Sequence, residues 1–398
     1  MKALEGITIL DMSRILAGPF CTQVLSDLGA TVWKIESPWG DDTRKLGPPF
    51  MKGESAFYLA INRGKKSVVV NLKEPRAQEL VRKLAMKSDV LVENFKTGDL
   101  GRYGLDHETL SKANPGIVYA SITGFGNTGP RAAEPAVDTT LQGLTGMMSI
   151  TGEADGPPLK VGIAAIDLLT GMMAAIGILS ALRERESSGK GQKIDLSLFD
   201  VGLMSLTNVA QNFIATGSVP GRFGHAHPQI VPYQAFEAKG GWFMLAVPND
   251  EAFQRLSQLV ERPDFAQDPR FKTNADRMAH KEALISQLIE IFLSKERADW
   301  LEALRKAGIS SAPINNFAEA LADPQAAARN LQWHIPHPTI GDLPLIANPL
   351  QYMSRTPAQP HGHPPLLGEH TREVLSLVAG EQELARLEAD GVIGVKKG

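Results

Sequence analysis

Asp167 is the residue whose surroundings point most directly to chemistry. It follows VGIAAI and opens DLLTGMMAAIGILSAL, so one ionisable group enters the head of a run that is otherwise apolar nearly all round. Two compatible readings share the same physics. As a helix cap, the carboxylate accepts backbone N–H bonds and gains from the helix dipole. As a nucleophile, it is kept ionised by that dipole while its neighbours exclude water.

Cations form the second constellation. Arg14, Arg44 in GDDTR, Arg63, Lys65 and Lys66 in NRGKKS, Lys73 and Arg102 follow or flank β-rich runs in the first third of the chain. In a parallel sheet the carboxyl ends of strands share one edge, so these side chains can converge on one crevice. Convergent cations suit phosphates or carboxylates, and an anionic small ligand is expected.

Other chemistries fit less well. Gly124-Phe125-Gly126-Asn127-Thr128-Gly129 has the spacing of a dinucleotide fingerprint, but Pro130 follows at once and no helical pattern opens there. A glycine-rich active-site loop or a turn is the better reading. No metal is expected, because His225 with His227 and His361 with His363 sit in Pro/Gly-rich connectors without a carboxylate at ligand spacing. The GxSxG elbow of serine hydrolases is missing, and Cys21 in PFCTQ reads as a buried, inert thiol.

The elements that must position these residues follow from pattern. GITILD (6–11), TVWKIE (31–36), SVVVNL (67–72), VLVEN (90–94) and GIVYASI (116–122) alternate with helical patterns such as 19–28 and 75–86. That alternation predicts an α/β chain with a parallel sheet and crossover helices, to which KIDLSL adds a strand after the Asp167 helix. The connector GSVPGRFGHAHPQIVP marks a boundary, and YQAFEAKGGWFMLAV beyond it reads as a hairpin turning at 239–241. The expected division is 1–215, the first part of a large domain, 225–325, a smaller one, and 330–398, a C-terminal segment.

At 398 residues, two domains are the natural expectation, and 43% hydrophobic with 21% charged residues describes a soluble protein. A net charge of -3 gives no field for nucleic acid, and no Lys/Arg block suggests a membrane surface. The single cysteine fits a reducing, cytoplasmic compartment, and the apolar stretch in MKALEGITILDMSR is too short and too soon charged for a signal peptide. The run 161–182 is long enough to span a bilayer, but Asp167 and two glycines within it argue for a buried soluble helix.

The ordered motifs ILDMSRILAGPFCTQVLSDLGATVWKIE, GDDTRKLGPPF, NRGKKSVVVNLK, DVLVENFKTGDLGRYGL, YASITGFGNTGP, SSGKGQKIDLSLFD, HPQIVPYQAF and PPLLGEHT resemble the class III CoA-transferases. That group contains formyl-CoA transferase, carnitine CoA-transferase and α-methylacyl-CoA racemase, and the resemblance covers nearly the whole chain. It implies a Rossmann-like large domain built from both chain ends, a smaller α+β domain, and an interlocked homodimer. It also implies that coenzyme A enters as an acyl-CoA substrate, with a carboxylic acid as the second substrate. Asp167 would be the catalytic nucleophile, forming a mixed anhydride and then an aspartyl-CoA thioester. Matching positions for CoA contact are Ile15, Leu16, Ala17, Val70, Lys73, Asn94 and Arg102, with Lys73 and Arg102 meeting phosphates.

Departures from the family pattern narrow the expected substrate. Leu16 stands where formyl-CoA transferase carries glutamine, and the glycine run of that enzyme's small domain is not found, which turns the expectation away from oxalate. The racemases carry a histidine before the aspartate of their GHD motif. Here the stretch is Pro135-Ala136-Val137-Asp138, so racemisation loses its acid/base partner. GDDTRKLGPPF, RFGHAHPQIVPYQAF and SAPINN are most similar to the succinyl-CoA:glutarate type, whose relatives act on itaconate, mesaconate or malate. A second carboxylate on the substrate would need a cation, for which Arg14, Arg44, His225 and His227 are the candidates.

Overall fold

The computed structural model describes residues 2–394; Met1 and the last four residues of the expected 330–398 segment lie outside it. Two compact units divide the chain. Among the described residues, 2–147, 160–217 and 327–394 form the first, and Met148–Leu159 with Ser218–Ala326 form the second.

In the first unit the β-branched runs pair as one parallel sheet. Its strands are β1 (Thr8–Asp11), β2 (Thr31–Glu36), β3 (Lys65–Val69), β4 (Val90–Glu93), β5 (Val118–Thr123) and β6 (Lys193–Ser197). All neighbours run parallel, in the order β3-β2-β1-β4-β5-β6. Strand order therefore reverses between β1 and β4, and a crevice opens beyond the carboxyl ends of those two strands. The third strand begins at Lys65 rather than Ser67, because the buried Lys65 ammonium meets Asp11 at 3.1 Å and can sit inside the sheet.

Alternation along the strands feeds two cores. Ile9, Val90, Val92, Val118 and Ala120 face one side, where helices α1 (Ala17–Asp27) and α4 (Ala165–Ser188) pack. Leu10, Leu91 and Tyr119 face the other, against Leu80, Val81 and Leu84 of α2 (Pro75–Ala85) and against Leu384 and Leu387 near the carboxyl end. The remaining helix near the site is the short α3 (Asp138–Leu144). By length and composition α4 could cross a membrane, yet Ile166, Ala174, Ala175 and Ile178 lie in the core of this unit. Its opposite side leaves Leu169, Met172, Ile176 and Leu179 exposed.

The second unit has its own core. Strands β7 (Tyr233–Ala238), β8 (Gly241–Ala246) and β9 (Ser310–Pro313) form an antiparallel sheet in the order β9-β8-β7, over a cluster that includes Phe236, Phe243, Phe292 and Trp300. The β7–β8 hairpin turns at 239–240, within the expected 239–241, with Gly241 already paired to Ala238.

Candidate active site

Asp167 is the third residue of α4, and its carboxylate accepts no hydrogen bond among the described residues. It borders a cavity of about 310 Å³ in the first unit, lined by Arg14, Ile15, Leu16, Ala17, Asn94, Thr123, Gly124 and Val137 among others. These residues follow β1, β4 and β5, so the cavity occupies the crevice where strand order reverses. Gly171, one helical turn after Asp167, makes this approach possible: a Cβ there would lie 2.6 Å from the Ala17 carbonyl oxygen. The start of α1 and the reactive face of α4 are thereby brought together.

The helix cap is supplied by another residue. Asp138 Oδ2 accepts the N–H groups of Ile166 at 2.8 Å and Asp167 at 3.1 Å, reaching the N-terminus of α4 from α3. Its other oxygen accepts Gln142 Nε2 at 2.6 Å, and Gln142 Oε1 in turn accepts the Val161 N–H at 2.8 Å. Asp138 and Gln142 thus clamp the chain entering α4, and the capping role read for Asp167 belongs to Asp138. Asp167 is left without a structural task.

Its ionisation also departs from the sequence reading. Burial, assisted by the nearby Asp138 charge, pushes the Asp167 carboxyl up to about 7, outweighing the helix dipole that was expected to keep it ionised. A sheltered carboxyl without a cationic partner holds its proton until near neutrality.

A second cavity, of about 320 Å³, shares Arg14 and Phe95 with the first and is lined further by Trp39, Val70, Lys73 and Tyr103. Of the positions matched to CoA contact, Ile15, Leu16, Ala17 and Asn94 border the Asp167 cavity, and Val70 and Lys73 border its neighbour. Arg102 borders neither and pairs with Asp99 three residues before it. The Asn94 amide is already engaged: it donates to the Arg14 carbonyl at 2.7 Å and accepts the Arg14 N–H at 2.9 Å.

The expected convergence of cations is corrected in part. Arg44 is held by Glu36 at 2.7 Å and stacks on Tyr58, Arg63 by Asp27 at 2.7 Å, and Lys65 by Asp11, so buried carboxylates neutralise three of the set. Arg44 is therefore not a free partner for a substrate carboxylate. Arg14 remains, half-exposed and only 3.8 Å from Asp42 at its nearest carboxylate contact. Lys96 also borders the Asp167 cavity, a cation the sequence reading passed over in favour of Arg102. Its position just after β4 was the available signal.

His225 and His227 belong to the second unit. There His225 Nδ1 accepts the Ala235 N–H at 3.2 Å, and the His227 ring stacks on Tyr233 at 5.0 Å. The glycine-rich stretch after β5 opens no helix, and Gly124 borders the Asp167 cavity as part of a loop. No group of three or more His, Cys, Asp or Glu side chains suited to a metal ion occurs among the described residues.

Comparison with known proteins gives the family. The model for CoA-transferase family III matches residues 4–371. The chain is 39% identical over 398 residues to succinyl-CoA:glutarate CoA-transferase of Mus musculus, spanning 99% of this chain and 91% of the relative. It is 42% identical over 329 residues to acetyl-CoA:oxalate CoA-transferase of Acetobacter aceti, spanning 82% and 84%. A solved CAIB/BAIF family protein from Brucella suis superimposes with a TM-score of 0.85 at 42% identity, covering 95% of this chain and 100% of that one. The chain is an enzyme of CoA-transferase family III.

Proposed function

We propose that the enzyme transfers coenzyme A from succinyl-CoA to a dicarboxylic acid such as glutarate, itaconate, mesaconate or malate, with Asp167 as covalent carrier. The carrying observation is the Asp167 carboxylate itself, sheltered, unpartnered and bordering a cavity at the crevice of the sheet. An Asp167 oxygen attacks the thioester carbonyl, the C–S bond breaks, and CoA thiolate leaves a mixed anhydride. The thiolate then attacks the Asp167 carbonyl, forming the aspartyl-CoA thioester and releasing succinate. An acceptor carboxylate attacks that thioester, and returning thiolate takes the acceptor acyl group and frees Asp167. No proton is consumed in the cycle, so the protein's part is to position groups and exclude water.

Asp138 and Gln142 serve in this reading to aim Asp167. The linked cavities accommodate the thioester end and the body of CoA, with Ile15, Leu16, Ala17, Val70 and Lys73 in contact and Arg14 facing the distal carboxylate. Arg102 is proposed for phosphate contact, and the histidines His225 and His227 for carboxylate contact. Where a racemase would place an imidazole, Val137 borders the cavity with 64% exposure, which disfavours 2-methylacyl-CoA racemisation. Oxalate remains the second reading for the acceptor, on the strength of the Acetobacter relative, beside a carnitine-type exchange.

The exposed face of α4 would be covered by a second copy of the chain, and a cytoplasmic homodimer is proposed with the activity. The test is an acceptor screen with succinyl-CoA as donor, following new thioesters by mass spectrometry. Glutarate, itaconate, mesaconate or malate giving the fastest exchange supports the reading; turnover restricted to oxalate, or α-deuterium exchange without acceptor, overturns it.

A further inference from the structure

The loop from β1 to α1 holds Ile15 at φ +69°, in the left-handed region that a β-branched residue adopts only under constraint. Every residue before it is tied down. The Met12 N–H donates to Val92 O at 2.8 Å and the Ser13 N–H to Asp11 Oδ1 at 2.9 Å. Buried Lys34 donates to the Ser13 carbonyl at 3.0 Å and to Asp41 Oδ2 at 2.8 Å. Asn94 closes a pair of hydrogen bonds on the Arg14 backbone, and the Ile15 N–H points to Asp41 Oδ1 at 3.4 Å. Ser13 packs so tightly on α1 that a Cβ at Gly18 would lie 2.3 Å from its side chain.

Glycine would satisfy this backbone without strain. Ile15 is 38% exposed and belongs to neither of the cores on the two faces of the parallel sheet. Its outer surface borders the Asp167 cavity. Strain maintained at a residue facing a cavity is what a pre-shaped binding wall requires.

We infer that Asn94, backed by the buried Asp41–Lys34 pair, is a positioning residue that holds Ile15 in its left-handed conformation and so keeps the Ile15–Ala17 wall in shape before the thioester arrives. This rests on the CoA-transfer reading for the identity of the ligand, while the clamp itself does not. Asn94 acts through the loop, since its amide accepts from the Arg14 N–H and donates to the Arg14 carbonyl.

A double-mutant cycle on Asn94→Ala and Ile15→Gly tests it, reading KM for succinyl-CoA, kcat, and the melting temperature of the ligand-free protein. Asn94→Ala is expected to raise KM about tenfold with kcat changed less than about threefold, and the double variant to be no worse in KM than the worse single one. Ile15→Gly is expected to raise the melting temperature by about 1–3 °C in the parent and by less in the Asn94→Ala background. Multiplying KM effects, or an unchanged KM in Asn94→Ala, overturn the positioning role. A lowered melting temperature in Ile15→Gly overturns the strain, whatever acid the enzyme uses.

Discussion

Asp11 and Asp167 are both sheltered carboxylates of the first unit, within reach of α1, and they are driven in opposite directions. Burial opposes ionisation of Asp11, but Lys65 and Lys34, with hydrogen bonds from Ser13 and Thr22, overcome it and hold the group at about 2. Asp167 has no such company, and burial with the Asp138 charge lifts it to about 7. The first carboxylate is fully committed to holding β1, β2 and β3 together. The second is available to a ligand. Burial alone does not mark a reactive acid; burial without partners does.

The largest effect that sharpens this contrast is Asp167→Asn. Transfer should fall by at least about a thousandfold, as expected when a covalent nucleophile is lost. At the same time the protein should become more stable at pH 8, by up to about 4 kcal/mol in chemical denaturation. The sign follows from the raised folded-state value: the penalty for the Asp167 charge develops as pH rises from about 4 to about 7 and is complete above that. Loss of both activity and stability would break the contrast.

Next in size is the opposite behaviour at Asp11. Asp11→Asn leaves Lys65 buried without its carboxylate and should cost about 3–5 kcal/mol by the same measurement. Because the folded-state value is depressed, the parent's contribution from Asp11 is present above about pH 4 and lost as pH falls through about 2.

Arg14 and Arg44 form a milder test of the same distinction between available and engaged charges. Arg14→Gln should raise KM for the dicarboxylate about tenfold with little change in the denaturation midpoint. Arg44→Gln should lower the midpoint and leave that KM nearly unchanged, because its guanidinium is bound to Glu36 and not to the cavity. The smallest effect is on pH dependence. Transfer should rise with pH through about 7 as Asp167 ionises, and Asp138→Asn, by removing a nearby negative charge, should move that rise to lower pH in a kcat/KM profile.

The sheet was legible because each strand is a β-rich run bounded by turn residues, and the hairpin of the second unit because a Lys-Gly turn joins two alternating runs. Strand order was not: nothing local in GITILD says that β4 rather than β3 lies on its far side. Asp167 stood out because a carboxyl in an apolar helix is costly. Its partners did not, since Asp138 and Gln142 lie more than twenty residues upstream in an unremarkable segment and act across space. The cations were over-read for a related reason. Sequence shows Arg44, Arg63 and Lys65 near strand ends but not the carboxylates of Glu36, Asp27 and Asp11 that the fold places against them. Asn94 matched a ligand-contact position, while its hydrogen bonds to Arg14 turn it toward the loop.

The central claim is that Asp167 becomes covalently attached to CoA. It is tested most directly by incubating the enzyme with succinyl-CoA in the absence of an acceptor, trapping with hydroxylamine or borohydride, and measuring the mass of the peptide that contains Asp167. The account predicts modification of that peptide, at Asp167, in the parent and none in Asp167→Asn. An active enzyme whose Asp167 peptide stays unmodified, or whose adduct lies on another residue, would contradict it.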